Sequence, residues 1–261
     1  MAHTPDAKLF NKLQEIMPTL SKGHKKIAEY IMTTYDKAAF MTASKLGTIV
    51  GVSESTVVRF ATELGFEGYP ELQRALKEFT SNKLTTAQRI DVMNDQLSGN
   101  DVYEKILNMD IEKIRKTLEE GDRDEFYKTV DTLCNAKNIY VIGARSAAVL
   151  ARFLSFYFNM MFDNVKLVHT TSTSEMFEQI LNIGENDIMI GISFPRYSKH
   201  TVKAFRYASE QGAKVIAITD SKASPLAEYA DNILLARSDM VSFADSLVAP
   251  MSVINALIVA V

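Results

Sequence analysis

From Ile139 to Leu235 five short apolar runs alternate with stretches of helical spacing, and few folds accept that pattern. The runs are Ile139–Ile142, Val165–Val168, Ile188–Ile192, Val215–Thr219 and Ile233–Leu235. Helical signals lie between them, over Ala147–Phe158, Ser174–Leu181, Lys199–Gln211 and Pro225–Tyr229. A strand that is apolar on both sides has no face to show water. It belongs in a parallel sheet covered by helices on both faces. Ligands of such sheets bind beyond the carboxyl ends of the strands. The loops that matter are therefore Gly143–Ser146, His169–Ser174, Ser193–Ser198 and Asp220–Ser224.

Those loops are rich in hydroxyls. Ser146 follows the first run, Thr170 to Ser174 the second, Ser193 and Ser198 the third, and Thr219, Ser221 and Ser224 the fourth. Hydroxyls beside the N–H groups of a helix start hold an anion through many weak donors, without a metal or a dedicated cation. Asn138–Leu154 shows the arrangement most openly, as a strand, the turn Gly143-Ala144-Arg145-Ser146 and then a helix. Ser174 and Ser224 read as helix caps, the commonest fate of a serine before a helix. Ser146, Ser193 and Ser198 read as anion ligands, with Arg145 and Arg196 adding charge at the rim; Tyr197 reads equally well as ligand or bystander. A dinucleotide site is excluded, because the turn holds one glycine where three are needed and places Arg145 where a backbone must come close.

The N-terminal third has a different rhythm, with no convincing strand from Pro5 to about Phe79. Leu9, Phe10, Leu13, Ile16 and Met17 form one helical stripe, and Ile27, Tyr30, Ile31 and Tyr35 another, with Ser21 as its cap. Met41–Gly65 is the most informative stretch here. Thr42 or Ser44 can cap a helix that carries Leu46, Ile49 and Val50 inward; Gly51 breaks it and Val52 plugs the corner. Ser53 starts a second helix whose inward residues are Val57, Phe60, Ala61 and Leu64, and Gly65 ends it. Two short helices joined by a glycine-containing turn make a helix-turn-helix, with Gly47 at the close crossing. Glu54, Ser55, Thr56 and Arg59, after the Ser53 cap, form the outward face, a set suited to base edges and phosphates.

Residues 81–100 are polar and weakly patterned and read as a linker, followed by a charged helix over Asp101–Leu118 with Val102, Ile106, Met109 and Ile114 inward, and another over Asp124–Leu133. The expected division is a DNA-binding domain over 1–80, linker and connecting helix over 81–120, and an α/β domain over 121–261. Charge alone would not reveal a DNA binder: the net charge is −3, and residues 1–80 carry ten Lys and Arg against nine Asp and Glu. Cys134 is the sole cysteine, so an internal disulfide and a cysteine-rich zinc site are both excluded; the four scattered histidines lack metal-ligand spacing. No cofactor is implied. The apolar run Leu247–Val261 is fifteen residues with Pro250 inside, short of the about 20 that a spanning helix needs, and reads as a core helix. The expectation is a cytoplasmic protein without a membrane segment, continuing naturally beyond Val261.

Ser44–Leu72, SKLGTIVGVSESTVVRFATELGFEGYPEL, resembles the helix-turn-helix of the RpiR family of bacterial transcriptional regulators, and Asn138 onward resembles the sugar isomerase (SIS) domain that those regulators carry behind it. The resemblance implies an all-α helix-turn-helix domain followed by a three-layer α/β domain with a five-stranded parallel sheet, in a homodimer or homotetramer. In SIS domains a serine after the first strand and a Ser-x-Ser-Gly-x-Thr loop after the third hold the phosphate of a phosphosugar. Ser146 corresponds to the first, while Ser193 and Ser198 match the first and last hydroxyls of the loop. Pro195 and Arg196 replace its middle serine and glycine, so a donor and a flexible position are lost and Arg196 becomes a candidate phosphate contact.

The resulting expectation is a transcriptional regulator, with repression the expected direction, whose grip on operator double-stranded DNA is controlled by a phosphosugar effector. The rival is a phosphosugar isomerase or lyase, which needs a base to remove a proton beside a carbonyl. Glu175 and His169 are the only candidates near the anion loops, and both have structural explanations.

Overall fold

The computed structural model describes residues 5–81, 101–169, 172–238 and 245–261. The chain divides into two compact units, Met1–Ser98 and Gly99–Val261. Thr170 and Thr171 fall outside the described residues, as does most of the expected linker.

Within the first unit every described element is helical: α1 (Pro5–Ile16), α2 (Lys22–Thr33), the single turn α3 (Tyr35–Ala38), α4 (Ala43–Val50), α5 (Glu54–Glu63) and α6 (Tyr69–Ser81). Leu13, Ile27, Ile31, Leu46, Val57, Phe60, Leu72 and Leu76 close one core with no exposed surface between them. Ser21 caps α2, and Thr42 rather than Ser44 caps α4, accepting from the Lys45 N–H at 3.2 Å. Gly51 ends α4 in the left-handed conformation (φ 72°), and the Val52 N–H donates back to the Gly47 carbonyl at 2.9 Å. A Cβ at Gly47 would stand 2.8 Å from the Val52 carbonyl oxygen, so the turn can fold onto α4 only over a bare backbone. The buried Tyr69 hydroxyl at the start of α6 donates to the Met41 carbonyl at 2.8 Å, and burial pushes its pKa up to about 12. Gln73 Nε2 donates to that same carbonyl at 2.6 Å. Ile49, expected inward, is 47% exposed, because the inward face of α4 is made by Ala43, Leu46, Gly47 and the half-buried Val50, and Ile49 falls beside it.

The second unit is the expected three-layer α/β fold. Its elements are α7 (Val102–Glu120), α8 (Arg123–Cys134), β1 (Asn138–Gly143), α9 (Ala147–Met161), β2 (Val165–Val168), α10 (Thr173–Ile180), β3 (Asp187–Ile192), α11 (Lys199–Glu210), β4 (Lys214–Thr219), β5 (Asn232–Leu235) and α12 (Val248–Ala260). The five strands pair in parallel in the order β2-β1-β3-β4-β5. Leu150, Leu154 and Phe158 of α9, with Ile254 and Leu257 of α12, cover Ile139, Val141 and Ile190 on one face. Met176 and Ile180 of α10, with Phe205 and Ala208 of α11, cover Tyr140, Ile142 and Met189 on the other. Alternate residues of each strand thus feed opposite cores, which is why the strands read as unbroken apolar runs.

Four local expectations are revised. Ser172, not Ser174, caps α10, since the helix begins one residue before Ser174. Pro225–Tyr229 forms only a single 3-10 turn at Ala227–Tyr229, and the buried Ser224 hydroxyl has no hydrogen-bond partner among the described residues. Tyr35 leaves the stripe of α2, which ends at Thr33. The fourth revision is the largest. Helix α7 turns Asp110, the buried Lys113 and Thr117 toward the unit, while Tyr103, Leu107, Ile111, Ile114 and Leu118 stand exposed on one stripe. Val102 and Ile114, expected inward, are among the exposed residues.

Gly47→Ala is expected to lower the stability of the first unit by about 1–3 kcal/mol, since the methyl must displace backbone and not a flexible side chain. Denaturant unfolding followed by circular dichroism measures it; an unchanged midpoint would mean the α4–α5 crossing is looser than its geometry.

Candidate nucleic-acid interface and anion site

Helix α5 is presented by its own cap. Ser53 Oγ accepts from the Thr56 N–H at 3.3 Å and lies 2.9 Å from Ser55 Oγ and 2.8 Å from Thr56 Oγ1. Thr56 is half-buried, and a Cβ at Gly23 would touch its methyl group at 3.5 Å, so this side chain knits α5 to α2. Glu54, Ser55, Val58 and Arg59 are exposed and line one shallow depression. Val58, absent from the sequence-based set, is 40% exposed among them and offers a methyl surface of the kind that meets a thymine methyl. The opposite side is anchored firmly. Phe60 and Val57 are fully buried, His24 Nδ1 lies 2.5 Å from Glu63 Oε2, and Lys12 Nζ donates to the Leu64 carbonyl at 2.8 Å, completing the helix's C-terminal end. A rigid helix with one small polar and arginine-bearing face is thereby held out from the unit. Lys26 is also exposed, with its ammonium beside the Gly51 turn, a position the sequence alone gave no reason to single out.

In the second unit the decisive fact is strand order. The chain leaves β1 for β2 on one side and reaches β3 on the other, so a crevice opens between the carboxyl ends of β1 and β3. Gly143, the last residue of β1, pairs with Ile192, the last of β3, which sets the loops Gly143–Ser146 and Ser193–Ser198 side by side. A Cβ at Gly143 would stand 2.5 Å from the Ala147 carbonyl oxygen, so the turn into α9 also needs a bare backbone. Ser146 is exposed at the N-terminus of α9 and makes no capping bond with its side chain. Ser193 is 3% exposed; its N–H donates to the Ile218 carbonyl at 3.1 Å, and its Oγ accepts from the Ser198 N–H at 3.3 Å. Ser198 in turn caps α11, accepting from the Thr201 N–H at 3.4 Å. The starts of α9 and α11 and the three serines thus all lie on the loops that follow the paired strands β1 and β3.

The arginines differ. Arg145 and Arg196 are the only non-glycine residues with positive φ among the described ones, at 56° and 71°. That conformation is uncommon for a residue with a side chain and costs of order 1–3 kcal/mol where it is imposed. Arg145 is exposed, whereas Arg196 is half-buried and its Nη2 donates to Asp245 Oδ2 at 2.8 Å. Tyr197 donates its hydroxyl to Asp220 Oδ1 at 2.8 Å, which Thr219 Oγ1 also reaches at 3.3 Å. Asp220 belongs to a loop already expected at this end of the sheet, whereas no local pattern points to Asp245, 49 positions from Arg196.

A helix-turn-helix unit followed by a doubly covered parallel sheet with serines at its switch point defines a class of two-domain proteins. The model for the helix-turn-helix domain of the rpiR family matches residues 7–83, and that for the SIS domain matches residues 132–260. The chain is 28% identical over 212 residues to an uncharacterized HTH-type transcriptional regulator of Clostridium perfringens, covering 81% of this chain and 75% of that one. Its fold matches the sugar isomerase domain of an RpiR transcription factor from Sphaerobacter thermophilus, with TM-score 0.59 and 29% identity over 61% of this chain and 89% of that one. It also matches the Vibrio vulnificus NanR protein complexed with ManNAc-6P, with TM-score 0.58 and 21% identity over 97% and 90% of the two chains, a likeness of fold. The chain belongs to the rpiR family of helix-turn-helix regulators with a SIS domain.

Arg59→Ala is expected to weaken binding to duplex DNA and to reduce the salt slope by about 1 if the guanidinium meets a phosphate. Fluorescence anisotropy at several salt concentrations reads both quantities. Unchanged affinity would remove α5 as the recognition helix.

Proposed function

We propose that this protein is a cytoplasmic transcriptional regulator whose operator binding is controlled by a phosphosugar held at the β1–β3 crevice, with repression as the default effect. The observation that carries the reading is the pairing of buried Ser193 with Ser198 at the switch point, in a chain that also holds out Glu54, Ser55, Val58 and Arg59 on a braced helix. The phosphate sits against Ser146, Ser193 and Ser198 and the first N–H groups of α9 and α11, with Arg145 and Arg196 balancing its charge. Ser53 and Thr56 set the start of the recognition helix, while Glu54, Ser55, Val58 and Arg59 meet the major groove and Lys26 meets a phosphate beside it.

A role in binding rather than turnover is supported by the two candidate bases. His169 and Glu175 are both exposed, whereas a general base works within an enclosed site that holds its substrate. No described helix is long and apolar enough to cross a membrane.

The active assembly is a homodimer or a homotetramer. Val149, Phe156 and Met160 share one face of α9 and are 61%, 58% and 68% exposed. With the stripe on α7 they make two apolar helical faces, more than an isolated soluble chain commonly shows water. A second copy also supplies the second recognition helix that a symmetric operator requires, about 34 Å from the first. Phe156→Asp is expected to shift sedimentation toward the monomer, and Leu118→Asp to do so independently if the α7 stripe is a second interface. Unchanged sedimentation for both variants would place the interface elsewhere.

Thermal unfolding in the presence of a panel of sugar phosphates tests the effector. At about 100 times its dissociation constant a ligand stabilises the native state by about 2.7 kcal/mol, a rise of roughly 5–10 °C for a unit of this size. Ser193→Ala is expected to remove that rise and leave basal DNA binding intact; a shift that persists in this variant would move the site.

A further inference from the structure

We propose that Glu54 and Val58 fix the operator sequence that α5 accepts, the carboxylate selecting a cytosine and the valine methyl groups a thymine one or two base pairs away. The inference rests on the reading of α5 as the recognition helix and names the bases that this helix prefers.

Glu54 is the first residue of α5, directly after the Ser53 cap, and Val58 stands one turn further on the same face. Both are exposed, and both line two shallow depressions. One is shared with Ser55 and Arg59, and the other reaches Thr42, Pro70 and Gln73. Whatever fills either depression therefore meets this pair. The Glu54 carboxylate makes no hydrogen bond or ion pair among the described residues. Its neighbour differs, since Ser55 Oγ already lies 2.9 Å from Ser53 Oγ.

A carboxylate at a helix start gains from the helix dipole, which accounts for its place in the isolated chain. Against DNA the same charge is unfavourable unless a donor meets it, because the phosphates on both sides of the groove repel it. Only two base-edge groups in the major groove donate, cytosine N4 and adenine N6. Adenine N6 lies between two acceptors, its own N7 and the O4 of the paired thymine, and a carboxylate that only accepts is repelled by both. Cytosine N4 has an acceptor on one side alone, the O6 of the paired guanine. Glu54 thus favours cytosine by one hydrogen bond and disfavours the other bases by a charge left without a donor. Val58 adds the apolar half, its methyl groups matching the C5-methyl of thymine. Four residues of helix rise by about 6 Å, close to two base-pair steps of about 3.4 Å, and this sets the spacing of the two bases on either strand.

Selection from a random duplex library with the full chain reads the preference, and fluorescence anisotropy on the selected duplex and its single-base variants measures it. The wild-type chain is expected to select a motif with a cytosine and a thymine one or two steps apart. Replacing the cytosine pair is expected to weaken binding about 5–150-fold, the range of one base contact. Glu54→Gln, whose amide both donates and accepts, is expected to move the preference at that position from cytosine to adenine, and Glu54→Ala to bind all four bases there alike. Replacing thymine by uracil, which removes one methyl group, is expected to weaken the wild-type chain about 4-fold and to leave Val58→Ser unaffected. A wild-type motif without cytosine, or an unchanged cytosine preference in both Glu54 variants, would overturn the role of the carboxylate while leaving α5 in the groove. An equal uracil penalty in Val58→Ser would do the same for the valine. Failure of the wild-type chain to select any motif, or wild-type affinity and preference in Arg59→Ala, Glu54→Ala and Val58→Ser alike, would remove α5 as the recognition helix and the inference with it.

Discussion

The reversal of strand order at β1, with β2 on one side and β3 on the other of an all-parallel sheet, is the constraint on which the second unit's architecture depends. Helices α9 and α11 lie on opposite faces of the sheet, so their N-termini diverge from one crevice instead of packing against each other. A Cβ on either side of that crevice would be costly. At Gly143 it would strike the Ala147 carbonyl, and at Gly191 it would stand 1.8 Å from the ring of Phe205, the residue that seats α11 on the sheet. Bare backbone at those two points lets both helices pack closely against the strands.

The first unit repeats the principle with helices alone. Gly47 admits the turn, Gly51 bends it, and the Ser53 cap fixes where α5 begins. What remains outward is short and largely rigid, which suits a groove whose floor carries the sequence information. The small net charge of the chain leaves nonspecific attraction weak, and so places more of the affinity on fit and on the number of recognition helices presented together. Helices α7 and α9 both carry exposed apolar faces.

Much of this was legible in the sequence because apolar periodicity reports burial directly. All five apolar runs became strands, and Val57, Phe60, Ala61 and Leu64 are buried as their spacing implies. Residues that obey other rules were harder to read. Helix α7 has a clear apolar stripe, but periodicity cannot tell an interior from an interface, and here the buried face is the one with Asp110, Lys113 and Thr117. The partnership of Arg196 with Asp245 spans 49 positions and has no local signature. Ser174 and Ser172 differ by two positions in a run of hydroxyls, where every residue is an acceptable cap and only backbone geometry chooses. Thr56 looked outward by helical phase, yet its bond to Ser53 and its contact near Gly23 draw it partly inward.

The central claim is that occupancy of the β1–β3 crevice governs how the recognition helices meet DNA. Selecting genomic fragments on the full-length chain and footprinting the strongest, with and without each sugar phosphate that raises its melting temperature, tests it most directly. The account predicts two protected half-sites on one face of the duplex, about 10–10.5 base pairs or a multiple apart, whose occupancy changes about 5–150-fold with the effector. Protection that stays the same whether or not the sugar phosphate is bound would contradict it.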